Sequence, residues 1–517
     1  MRALICGGLL LALALLPAHA RAQDECGVAE SIVYPVDTAV FRLAQDFAAP
    51  SPRHQGRYHT GEDWVPPRDE VYGVGQPVRA AASGRVTYSA PLGWGRDGGV
   101  VIIQHTFADG STLYTQYGHM LESGEHRFPA AYTCVRQGDV IGAVGDARPA
   151  PHLHFEVRAS GPDTPGPGYT WENPLAAGFR QPARLIRNWQ TWAQPYALWR
   201  VELAHGLDLP PAELDDHSLV YASGGRVVRV TPDGRALWRL SPERPLAAAL
   251  VHEGLPLLVY ADGGMRRLNL DGSLGERWET GAPLAGPPLL RRADLTVFPA
   301  PDGGLVAFGP DLRAPLWQVA AGLTPPLRAG AGVGLLALVA ADGQMLTLDE
   351  GGAALDSARL RQPASLAAAP DGALLVYTVS GLWTLDAAGR WTPHPAAAPP
   401  GGQNSAVLAT GARLFLFDGA ALRAYDRDSA PLWQAELPGV SGAAALADYH
   451  GLLLLTTGGG DLAVVRAADG GVCGQTRVYG GGAPLWASLG ADGVLRLAAD
   501  DHLLALDWAR FTAACAA

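Results

Sequence analysis

Two short histidine motifs in this chain have the residue types and spacing for metal chemistry. His59-Thr60-Gly61-Glu62-Asp63 is an H-x-x-x-D, and His152-Leu153-His154 is an H-x-H that runs into the alternating stretch Phe155-Glu156-Val157. On a strand, residues two apart face the same side, so His152 and His154 can enter one site. Neutral imidazole and carboxylate suit Zn2+, and a catalytic zinc keeps three protein ligands and leaves one position for water. Either motif alone is weak, because a chain with 14 histidines meets such short patterns by chance. Their company strengthens them. A third histidine lies between the two at Tyr117-Gly118-His119, and seven of the histidines fall between His54 and His154.

The elements that must position these groups read as strands. From about Ile32 to about Arg184, short apolar runs such as Val100-Val101-Ile102-Ile103 alternate with Gly-rich turns. The ordered set His59–Asp63, Tyr117-x-His119 and His152-x-His154 resembles the lysostaphin/LytM-type zinc endopeptidases. Ala80-Ala81-Ala82-Ser83-Gly84-Arg85-Val86, Gln137-Gly138-Asp139-Val140-Ile141-Gly142 and His152-Leu153-His154-Phe155-Glu156-Val157-Arg158 resemble the same family, as does Glu172-Asn173-Pro174. The resemblance covers roughly residues 30 to 180 and does not reach the C-terminal part. It implies an antiparallel β-sandwich or barrel that hydrolyses peptide bonds, with peptidoglycan or an extracellular protein as substrate. His59, Asp63 and His154 would bind Zn2+, while His119 and His152 would act without ligating it. A neutral His152 could take the proton of the attacking water, and His119 could hydrogen-bond the developing oxyanion. The rival of a different class is an inactive wall-binding or regulatory module. Such versions usually lose metal ligands, and this chain keeps all three. His105 is expected in a surface turn, His54 and His126 at most border the groove, and Glu62 should point away from its ligand neighbours.

From about Leu219 onward the chain repeats itself. Units begin near Val220, Val259, Val297, Leu338, Val376, Leu414, Leu454 and Leu495, at intervals of 38 to 41 residues. Each holds an apolar strand, a Gly/Asp turn and a second strand, often followed by Trp. That period and content mean propeller blades, and eight copies suggest eight blades. The unit resembles the quinoprotein-like repeat, and its tryptophans read as blade-to-blade packing. The residues a quinone-dependent dehydrogenase needs are not evident, so that reading is disfavoured. Expected boundaries are a signal peptide over 1–22, the peptidase domain over 23–184, an aromatic and Pro-containing connector over 185–218, and the propeller over 219–517. The propeller would bind protein or wall material and place the enzyme.

Composition narrows the function classes. The 517-residue chain has no lysine, which removes Schiff-base and Ser–Lys chemistry. Its formal net charge of −11 offers no basic field for nucleic acid. Arg2, the apolar run Leu4 to Leu16, Pro17 and small residues up to Ala22 read as an export signal, too short for a membrane span. No later stretch is apolar for long enough to cross a bilayer. A periplasmic or extracellular location follows, and Cys26, Cys134, Cys473 and Cys515 remain in an oxidising compartment. Domain membership favours the pairs Cys26–Cys134 and Cys473–Cys515 over the other two connectivities.

Overall fold

The computed structural model describes residues 26–515 except 67–72, 108–110, 160, 162–163, 204, 326, 361–364, 397, 402–403 and 479–485. The expected signal peptide lies outside the described residues. No helix among them is long and apolar enough to cross a membrane.

The N-terminal domain is built on a ten-stranded sheet. Its main path runs Arg42–Gln45, Glu62–Val65, Leu153–Arg158, Thr112–Leu121, Gly99–Thr106, Gly84–Ala90 and Cys134–Val135. The neighbouring strands on this path pair antiparallel. A smaller sheet of Pro50–Ser51, Arg57–His59 and Tyr169–Thr170 sits beside it. The run Val100–Ile103 is buried throughout, as a continuous apolar strand should be. Leu153, Phe155 and Val157 join Val101, Ile103, Leu113 and Tyr117 in one core. Strand alternation therefore sends His154, Glu156 and Arg158 to the opposite face. A disulfide joins Cys26 to Cys134.

Eight four-stranded antiparallel sheets follow among the described residues. Their cores are shared between neighbours: Val297, Leu305 and Ala307 of one sheet pack with Leu336, Leu338 and Leu348 of the next. The strand Leu209–Glu213 contacts both Leu246–His252 and Trp486–Leu489, so the first sheet borders the last and the ring closes. Arg496, fully buried, ties this junction by bonding Asp492 and Glu213.

The stretch 185–218 is not a free connector, which corrects the expected boundary. Helix Pro182–Trp192 ends before Pro195, as that proline requires. Its Leu185, Ile186 and Trp189 belong to the core of the N-terminal domain, and Trp192 packs against that core and against the last sheets of the ring. A cut at 184 would therefore remove core residues. Next, Ala197–Glu202 pairs with His502–Asp507 and completes the last sheet, while Leu209–Glu213 begins the first. An early strand thus closes the ring against the final one. The second disulfide, Cys473–Cys515, fastens the C-terminal turn to the preceding sheet.

The two parts of the molecule are locked together. The Arg200 guanidinium lies 4.0 Å from the Trp189 ring centroid and 4.5 Å from that of Trp192, and it donates to Ser111. Thr191 donates to the Arg477 carbonyl across the junction. Buried Arg180 approaches Glu202 at 3.6 Å.

Candidate active site

Three strands bring the expected site together. Asp63 pairs with His154 in register, and His154 pairs on its other side with Gly118, next to His119. His59 ends the small-sheet strand Arg57–His59 and reaches in from there. The close approach has a cost in residue choice: a Cβ on Gly118 would meet the Trp94 ring at 2.2 Å. His119 itself has a φ of 58°, a left-handed backbone that non-glycine residues seldom adopt.

The ligand atoms of His59, Asp63 and His154 lie within 4.8 Å of one another, and all three residues are buried. Their hydrogen bonds fix which atoms face inward. His59 Nδ1 is 3.2 Å from the Asp46 carbonyl oxygen, which can only accept, so Nδ1 carries the proton and Nε2 the lone pair. His154 Nε2 is 3.2 Å from a Glu156 carboxylate oxygen, which leaves the lone pair on Nδ1. These two lone pairs are 3.0 Å apart, and Asp63 Oδ1 is 3.2 Å from the first and 3.1 Å from the second. Three acceptors pointing at one another need a cation or a proton between them. Without a metal the proton wins. Burial opposes charge on His154, yet hydrogen bonds to Asp63 and Glu156 raise its pKa to about 9. Burial likewise opposes charge on Asp63, but bonds from His154 and His59 hold its carboxyl well below the usual range. This His2Asp donor set, with each imidazole tied at its other nitrogen, fits Zn2+.

His119 and His152 stand beside this cluster, with ring centroids 4.5 Å apart. His119 Nδ1 donates to the Asp97 carbonyl at 2.7 Å, and His152 Nδ1 donates to the Ala150 carbonyl at 2.8 Å. Both therefore present an Nε2 lone pair when neutral. Burial, with nearby His152 adding to it, lowers the His119 pKa to about 4, so this imidazole is neutral at ordinary pH. A neutral ring with that tautomer accepts a proton before it can donate one. Either histidine can therefore receive the proton at Nε2, in keeping with two histidines that act together rather than in strictly divided roles.

Sequence reading missed Glu156. It lies fully buried, binds His154, and is held in turn by Arg158 and by Thr60 at 2.5 Å. Arg158 donates to Gln116 at 2.6 Å, and Gln116 accepts from the Gly166 backbone at 2.8 Å, which fastens the lip of the groove. The signal was available, since Glu156 is two residues from His154 on the same strand face. Trp94 and Tyr169 had no such signal. The Trp94 ring is 5.3 Å from that of His154, and its indole donates to Gly166. Tyr169 is 5.1 Å from His59 and stacks on His54 at 3.7 Å. Together these residues line a groove of about 770 Å3, which also takes in Arg53 and Arg148. His54 borders it and His126 is not among its lining residues. Glu62 points away as expected, bonding Trp64 and the Ala183 backbone. His105 departs from expectation: it is fully buried between the Ser83 carbonyl and Thr115, because its strand continues through the core.

Residues 57–164 match the model of peptidase family M23. The segment that carries the site is thus similar to an M23 peptidase. All five expected site residues fall inside the matched segment. Residues 193–310 match a second family model, described as outer membrane protein assembly factor BamB, so a segment similar to M23 peptidases is followed by one similar to BamB. Among solved structures, BamB from Moraxella catarrhalis is similar at 15% identity and a TM-score of 0.44, over 60% of this chain and 99% of its own. The computationally designed Ika8 protein is similar at 14% identity and a TM-score of 0.45, with the same coverage. A search of the curated proteins finds no match.

Proposed function

We propose that the chain is an exported zinc metalloendopeptidase that hydrolyses peptide bonds in peptidoglycan cross-links or stem peptides, with the propeller placing it on its target. The observation that carries this reading is the convergence of the His59, Asp63 and His154 acceptor atoms beside two histidines whose Nδ1–H groups are tied to backbone carbonyls. When bound, the zinc would polarise the scissile carbonyl and acidify the attacking water. The chain's own residues do the rest. His59 and His154 are oriented by the Asp46 carbonyl and the Glu156 carboxylate. His119 or His152 accepts the water proton at Nε2 and, once protonated, donates it to the oxyanion or the leaving amine. The groove beside them admits an extended peptide. An envelope location is supported by the signal-like start, the two disulfides and the BamB-like segment.

The test is incubation of the full mature protein with purified sacculi, with released muropeptides read by mass spectrometry. Release that stops on chelation and returns with Zn2+ is expected. A zinc-loaded protein that releases nothing from sacculi but cleaves a denatured protein would replace the wall substrate with an extracellular one.

A further inference from the structure

The tryptophan series that joins the sheets of the ring lapses after Trp317, where Asp356 takes the place, and again at Thr392 and Gly474. Trp199, Trp238, Trp278 and Trp317 succeed one another at intervals of 39, 40 and 39 residues. Each donates its indole N–H to a carbonyl of the next sheet: Pro232 at 2.7 Å, Leu270 at 3.0 Å, Leu312 at 2.9 Å and Glu350 at 2.8 Å. Trp433 does the same to Ala467 at 3.1 Å. Four of these rings press on a turn glycine. A Cβ on Gly234, Gly272, Gly352 or Gly470 would meet an indole at 2.9, 2.8, 2.6 or 2.7 Å. The residue 39 positions after Trp317 is Asp356. It holds the tryptophan's place in the register, opposite Thr347 beside a bulge, as Trp317 stands opposite Ala307 beside a bulge. The turn glycine of the following sheet, Gly389, would meet nothing nearer than the Leu355 Cβ at 3.7 Å and the Asp356 Cβ at 3.9 Å. Here the seat is kept and the indole is gone.

Asp356 also lines a cavity of about 500 Å3 between these two sheets, within the range of small-ligand sites. Two other tryptophans wall it. Trp383 and Trp391 are both half-buried, with centroids 6.4 Å apart and planes at 75°, so they form a corner rather than a stack. Asp356, Arg359 and Ser380, all exposed, supply a carboxylate, a guanidinium and a hydroxyl at its edge. A wholly apolar ligand would desolvate that carboxylate and guanidinium without pairing them. A ligand of one charge sign would be opposed by one of the two. A neutral ligand with apolar faces and hydroxyls around its edge satisfies the indole walls, the acceptor and the donor together.

We propose that this junction is a binding site for a sugar ring of a neutral oligosaccharide. It is separate from the peptidase groove and does not depend on the reading of that groove. The aromatic corner takes the C–H faces of the ring, Asp356 accepts from its hydroxyls, and Arg359 and Ser380 donate to them. Asp356, standing in the place of the repeat's Trp, supplies the carboxylate at the edge of the site.

Calorimetric titration of the full chain with chitotetraose, cellotetraose and maltotetraose tests it, with pentaglycine as the peptide control. Saturable binding of at least one tetrasaccharide is expected. Trp391→Ala should weaken it roughly tenfold or more, the scale of losing an aromatic anchor. Asp356→Trp should remove the carboxylate from the cavity edge and weaken binding likewise, with zinc content and cleavage of a soluble peptide unchanged. This second variant adds packing rather than removing it, so it guards against mere unfolding in the first. Failure of all three sugars to bind the parent protein, unchanged affinity in Asp356→Trp, or binding of pentaglycine in their place would overturn the proposal.

Discussion

The peptidase domain and the ring use buried space in opposite ways. The peptidase domain gathers one apolar core on one face of its sheet and, on the other face of the same strands, buries His154, Glu156 and Arg158 in a continuous polar chain. The ring divides its apolar residues among clusters that span neighbouring sheets, and leaves pairs such as Arg235–Asp233 and Arg390–Asp386 largely in solvent. Buried polar groups must be matched atom by atom, whereas an apolar interface tolerates exchange of similar volumes. Single residues therefore carry the peptidase domain's function, while the period carries the ring. A departure from the period, such as Asp356, is where the ring becomes specific.

The largest effect should come from the metal ligands. His59→Ala, Asp63→Ala or His154→Ala should each take zinc from about one per chain to background, because three-ligand coordination tolerates no loss. Metal analysis of purified protein checks this. Normal zinc in the His59→Ala protein would break the assignment.

Next in size is a pH dependence centred on His105. Burial lowers its pKa from an ordinary 6.5 to about 4, so the folded state holds it neutral. The unfolded chain binds a proton there first as pH falls, so stability is full above about 6.5 and is lost down to about 4. The total is about 3 kcal/mol. Denaturant midpoints measured across that window should show the slope, and His105→Gln should reduce it, leaving the share of His119, whose pKa burial lowers into the same range. An equal slope in the variant would assign the loss elsewhere.

Glu156→Gln should keep the three ligands but weaken zinc about ten- to a hundred-fold, the usual scale for a carboxylate behind a ligating histidine. Competition with a chelator measures it, and Glu156→Asp should recover part of the loss. No change would mean that the Glu156–Arg158–Gln116 chain serves folding alone.

The smallest effect tests how firmly the two regions are joined. Arg200→Ala removes the cation stacked on Trp189 and Trp192 and should cost about 1–2 kcal/mol. Scanning calorimetry should then show one unfolding transition separating toward two. A single transition with no loss would place the coupling in helix Pro182–Trp192 instead.

Much of this molecule was legible in local spacing. His152 immediately precedes the strand Leu153–Arg158 that carries His154, the repeat interval marks the ring, and the two cysteine pairs fall within the parts they join. Such features depend on residues near in sequence or on a repeated pattern, which is why type and spacing alone determine them. The tertiary structure decided whatever depends on residues far apart. The protonated nitrogens of His59 and His119 are set by the carbonyls of Asp46 and Asp97 on other segments. His105 is buried because the loop at Ser83 and the strand at Thr115 close over it. The ring closes through Ala197–Glu202, some 300 residues before its partner strand His502–Asp507, and no local pattern encodes a pairing across that distance. The cavity beside Asp356 likewise needs the fold, because Arg359 and Leu360 of one sheet and Trp383 and Trp391 of the next wall it together.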